Sequence, residues 1–64
     1  MYDLVGLNGN AFNVMGYVLT AMKEQGFSKE EQKAYTDAAM SGDYDHLICV
    51  SMDMVEQCNE RAEA

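Results

Sequence analysis

Apolar residues recur at helical spacing in three stretches of the chain. The densest pattern spans 43–61, where Tyr44, Leu47, Ile48, Val55 and Cys58 share one face with Met52 beside them. Gly42 stops the preceding element, and Asp43 is placed as an N-cap whose carboxylate accepts from an orphan N–H. The second pattern spans 10–25. Phe12, Met15, Leu19 and Met22 form one stripe, and Ala11, Val14, Val18 and Ala21 form another beside it. That face is wider than one neighbouring helix covers. Gly26 follows as a C′ glycine. Gly16 sits inside the pattern at a cost of about 1 kcal/mol relative to Ala, which points to a close helix crossing. The third pattern spans 28–41. It opens on Ser28-Lys29-Glu30-Glu31, a capping box, and offers only Ala34, Tyr35, Ala38 and Ala39 for burial.

Before the first helix, Leu4, Val5 and Leu7 make residues 2–7 read as extended, interrupted by Gly6. One strand cannot satisfy its own backbone groups. Two readings follow: the segment pairs with its copy in a second chain as a ribbon across a symmetric dimer, or it is a packed arm. Asn8-Gly9-Asn10 is a turn, and either Asn caps the helix that follows. The expectation is an all-α three-helix bundle with a short N-terminal β-strand that pairs across a homodimer. It forms one domain over 1–64: strand and turn at 1–9, then helices at 10–25, 28–41 and 43–61.

Length presses the same way. A chain of 64 residues buries only about 60% of its unfolded surface, and such chains lean on disulfides, a metal or a second subunit. Cys49 and Cys58 cannot supply a bridge within one helix. Nine residues of separation place them on opposite sides, about 13 Å apart along the axis. Met1 leads into Tyr2-Asp3 without a basic stretch or a long apolar run, so a reduced, cytoplasmic protein is expected. No apolar run approaches the roughly 18 residues of a membrane span. Self-association is left as the source of extra stability. Hydrophobic content of 48% argues against disorder. The six methionines read as core filler, with an adaptable binding surface as the alternative.

Charge narrows the partner class. Eleven acids against four bases give a net charge of −7, which repels a phosphate backbone and excludes direct nucleic-acid binding. Lys23, Lys29 and Lys33 gather around the turn between the first two helices, whereas from residue 43 onward six acids face Arg61 alone. The last helix is therefore an acidic rod outside its apolar stripe. Such a face is ordinarily just solvated. Its functional reading is a non-enzymatic interaction protein that meets a basic host protein through Asp53, Glu56 and Glu60.

Reactive chemistry is thin. His46 and Cys49 stand at i, i+3 and share a side, half of a metal or thiol site, but there is no CxxC, no second His and no HExxH. No catalytic residue, metal ligand or cofactor is assigned. Gly6-Leu7-Asn8-Gly9-Asn10 precedes a helix N-terminus, where N–H groups bind anions. It lacks the Lys-Ser/Thr end of a P-loop and the third glycine of a dinucleotide fingerprint. The alternative function is thus a small-ligand, nucleotide-like binder or sequestering protein. It would use Gly6, Asn8, Gly9 and Asn10 at a subunit interface, with Lys23 and Lys29 adding positive charge.

Two stretches, Leu4-Val5-Gly6-Leu7-Asn8-Gly9-Asn10-Ala11-Phe12 and Ser41-Gly42-Asp43-Tyr44-Asp45-His46-Leu47, resemble a family of small uncharacterised bacterial and phage-associated proteins. Those proteins open on a Gly-x-Asp-Gly-Asn-Ala-aromatic run and carry Ser-Gly-Asp-Tyr before the last helix. Asn8 stands where that pattern frequently has Asp, so no carboxylate is available there. The resemblance spans nearly the whole chain, through motifs that punctuate structure. It implies a phage or mobile-element setting, in which tiny acidic proteins bind and block host proteins or signals.

Overall fold

The computed structural model describes residues 1–63. It contains α1 (Ala11–Glu24), α2 (Lys29–Ala39) and α3 (Tyr44–Glu63). The helices pack on one another as a mainly α three-helix bundle, and α3 is the one that contacts both others extensively. Among the described residues, no helix is long and apolar enough to cross a membrane.

Each helix begins where the sequence provides an acceptor. Asn10 takes the Phe12 N–H at 2.8 Å. The Ser28 hydroxyl accepts from the Glu31 N–H at 3.0 Å while the Glu31 carboxylate accepts from the Ser28 N–H at 2.9 Å, so the capping box closes in both directions. Asp43 accepts the His46 N–H at 2.9 Å. The end of α1 is a Schellman motif. Gly26 has φ +79°, the Phe27 N–H donates to Met22 O at 3.0 Å, and the Gly26 N–H donates to Lys23 O at 3.1 Å. Phe27 then folds back onto Met22, and both are buried.

The core draws Val14, Met15, Val18, Ala21 and Met22 from α1, Tyr35 and Ala39 from α2, and Leu47, Val55 and Cys58 from α3, with Phe27 at the joint. At its centre the Tyr35 hydroxyl and Ser51 Oγ hydrogen-bond at 2.6 Å, and Ser51 is fully buried. Ala34 and Ala38 lie exposed, because α2 leans on the bundle along its Tyr35–Ala39 edge alone. Gly16 also departs from expectation. A Cβ there would meet nothing within 4 Å, so no helix crosses at it.

The expected N-terminal strand does not form among the described residues. Asp3 Oδ1 accepts the Val5 N–H at 2.9 Å. The Leu7 N–H donates to Leu4 O at 3.2 Å around Gly6, whose φ is +81°. A positive φ at the third residue of a four-residue turn is the type II geometry, and it ends any extended run after Leu4. The backbone groups that a strand would have paired are met by a side chain. Asn59 Oδ1 accepts the Tyr2 N–H at 2.7 Å, and Asn59 Nδ2 donates to Tyr2 O at 3.0 Å. Residues 1–10 thus form a docked arm. Its other anchors include the Tyr2 hydroxyl to Glu24 Oε1 at 2.7 Å, the Asp3 N–H to the Tyr17 hydroxyl at 2.9 Å, an edge-on Tyr2–Tyr17 ring contact with centroids 6.5 Å apart, and the Tyr44 hydroxyl to Gly9 O at 2.5 Å.

Candidate functional site

Helical geometry sorts the residues of α3 into three longitudinal strips. Leu47, Ser51, Val55 and Cys58 face the core. Ile48, Met52 and Asn59 flank it on the side of the arm. Asp45, Glu56, Glu60 and Glu63 stand beyond them, exposed.

Between arm and helix lies an open groove of about 430 Å³. Leu4, Val5, Ile48, Met52 and Val55 form its floor and walls, Asp3 and Glu56 stand on its rim, and Asn59 is part of its lining. Val5 is 88% and Met52 59% exposed, so two large apolar side chains face solvent here. A second groove, of about 370 Å³, runs between α2 and α3 and includes Asp53. Of the three acids read as partner-binding, Glu56 therefore borders the arm-side groove, Asp53 borders the other, and Glu60 stands free on the surface.

Among the described residues, no base forms an ion pair with the acidic strip. The only base on α3, Arg61, is turned the other way. Its guanidinium lies 3.6 Å from the Phe27 ring centroid, donates to Gln25 O at 3.4 Å and pairs with Glu31 at 3.5 Å. That is the only ion pair among the described residues. Glu31 is held below the usual carboxylate range, first by the Ser28 N–H, then by the Ser28 hydroxyl, and to a smaller degree by Arg61.

The glycine-bearing turn is arranged differently from an open anion cradle. The Leu7 N–H donates to Leu4 O at 3.2 Å and the Asn10 N–H to Asn8 Oδ1 at 3.1 Å, so two of its amides are used internally. Gly6 and Gly9 lie before the start of α1, Lys23 lies in its last turn and Lys29 beyond it. The span of α1 is about 20 Å. One chain does not bring these six residues together, and a site made of them needs two copies.

His46 joins two helices. Its Nε2 lies 2.8 Å from Ala38 O and 3.2 Å from Ser41 Oγ. A carbonyl only accepts, so Nε2 carries the proton. The ring ties the end of α2 to the start of α3. Gly42 makes this possible: a Cβ there would lie 2.8 Å from the His46 ring. Cys49 is exposed and Cys58 fully buried. Burial pushes the Cys58 thiol above its ordinary value, against a smaller opposing pull from Arg61, which makes it a poor nucleophile. Among the described residues, no three His, Cys, Asp or Glu side chains converge as metal ligands.

Sequence reasoning passed over Asp3, Leu4, Val5 and Asn59 as neighbours of the acidic helix. One signal was present. Asn59 follows Val55 by four residues and Met52 by seven, a polar side chain on an apolar flank, and such a residue needs a hydrogen-bond partner from elsewhere in the chain. Compared with known proteins, the chain matches no family model, no curated protein and no solved structure.

Proposed function

We propose that this chain is a non-enzymatic interaction module that captures a basic protein through the acidic outward strip of α3. The carrying observation is the strip itself. Glu56 and Glu60 are exposed, with Asp45 and Asp53 on the same helix, and the one base of α3 is spent on Glu31 and Phe27 on the opposite flank. Uncompensated charge on a rigid helix raises association rates with an opposite charge and rejects like charge. The corresponding activity is occlusion. An acidic strip competes with phosphates for a basic surface, which fits an inhibitor of a host protein that grips nucleic acid.

The test uses the immobilised chain and its Glu56→Lys/Glu60→Lys variant, offered the same bacterial lysate at moderate salt. Both substitutions lie on the solvent side, so the circular dichroism spectrum stays that of the parent. The expected outcome is a basic protein retained by the parent and lost from the variant, which rebinds when purified. Equal retention by both would sink the proposal.

A further inference from the structure

We infer that the groove between the N-terminal arm and α3 receives the apolar face of a cationic amphipathic helix presented by the partner. The inference rests on the proposed capture of a basic protein and adds what that partner must look like.

Charge complementarity selects the occupant. The groove has an apolar floor of Leu4, Ile48, Met52 and Val55 and acids on its rim, Asp3 from the arm and Glu56 from the helix. Asp45, Met52, Glu56 and Glu63 recur at intervals that keep one side of α3 in line. Asp45 and Glu56 are thus about 16 Å apart along the axis, some three turns. A helix of similar length laid along the groove places its apolar side chains between arm and α3 and its lysines or arginines over the rim acids. An anionic or uniformly apolar occupant leaves those acids unpaired at a buried interface, which is costly. A second copy of this chain carries the same net charge of −7 and brings the same acids against the rim. Met52 suits the role further, because an unbranched thioether side chain adapts to partners of different shape.

The experiment measures fluorescence anisotropy with the full chain and three labelled peptides of about four helical turns. One has leucines on one face and lysines on the other. The second replaces its leucines by serine and keeps the charge. The third replaces its lysines by glutamate. The leucine–lysine peptide is expected to bind about tenfold tighter than the serine–lysine peptide, as burial of a few apolar side chains provides. The leucine–glutamate peptide is expected not to bind. In the Val5→Asn/Met52→Gln variant, whose changes fall on exposed side chains, the tenfold difference disappears and serine–lysine binding is unchanged. Equal binding of both cationic peptides to the parent overturns the inference and leaves the acidic-strip proposal standing. So does a difference that survives in the variant, or a native mass that shows a dimer which the variant dissolves. Serine–lysine binding that is unaltered by Glu56→Lys/Glu60→Lys overturns the acidic-strip proposal instead.

Discussion

At the scale of single residues, the least forgiving contact is the one between Tyr35 and Ser51. A phenol and a hydroxyl share a hydrogen bond in the middle of an otherwise apolar core. Removing one partner strands the other, which costs about 1–3 kcal/mol for a buried polar group. Removing both returns part of that cost. Ser51→Ala is therefore expected to lower the unfolding free energy by about 2 kcal/mol. Tyr35→Phe/Ser51→Ala is expected to be more stable than the Ser51→Ala single variant. Urea unfolding of the parent, both single variants and the double variant measures the coupling, and strictly additive losses would show that the bond contributes nothing of its own. The same site has a pH signature. Burial raises the Tyr35 hydroxyl above its ordinary value, with Ser51 opposing in part. Its folded value is the higher one, so this contribution is complete below the ordinary pKa of 10.0 and is lost as pH climbs through the folded value.

At the scale of elements, the helices were legible because local chemistry and periodicity agree. Asn10, Ser28 with Glu31, Asp43 and Gly26 act at the boundaries where their side chains or backbone freedom place them. The burial of Val14, Val18, Leu47, Val55 and Cys58 follows the 3.6-residue period. What periodicity could not show was the arm. Its apolar residues have strand-like composition, but its path is set by contacts distant in sequence, Tyr2 with Asn59 and Asp3 with Tyr17. Phe12 illustrates the same limit. It continues the α1 stripe by spacing and is 75% exposed, because 100° per residue turns it away from the buried Val14 and Val18. The candidate site was half legible: charge marked Glu56 and Glu60, whereas the groove beside them exists only once the arm has docked. Asn59→Ala removes both bonds to Tyr2 and should release the arm at a cost of about 1–2 kcal/mol. Hydrogen exchange is the measurement. The amides of Asp3 and Val5, which are bonded to Tyr17 and Asp3, are expected to lose protection while those of Val18 and Val55 keep theirs. Unchanged protection of the arm would mean that the tyrosine contacts hold it without Asn59.

At the scale of the whole molecule, charge works against the fold. Eleven acids on a 64-residue chain repel one another. The crowding is worst on α3, where Asp53, Glu56, Glu60 and Glu63 follow at three- and four-residue spacing, an arrangement that costs a few tenths of a kcal/mol per like-charged pair. Glu60 and Glu63 also sit near the helix C-terminus, where the macrodipole disfavours negative charge. The opposing attraction is small. Arg61–Glu31 is a single half-exposed pair at 3.5 Å, and such pairs contribute between about 0 and 1 kcal/mol. Salt weakens both effects, since the screening length falls from about 10 Å at 0.1 M to about 3 Å at 1 M. Repulsion involves many pairs and attraction one, so repulsion decides the sign. Sodium chloride is expected to raise the Tm by several degrees between low salt and about 0.5 M, an increment of about 1 kcal/mol for a chain of this size. Glu60→Gln should be more stable than the parent at low salt and gain less from salt. Thermal melts followed by circular dichroism test this directly. A Tm that falls with salt in the parent would mean that Arg61–Glu31 outweighs the acidic strip. Acid acts through the capping box, whose contribution is complete above about 4.5, the ordinary value for Glu31, and falls away below it. The depressed folded value of Glu31 means that the capping box loses its contribution as that carboxylate is protonated.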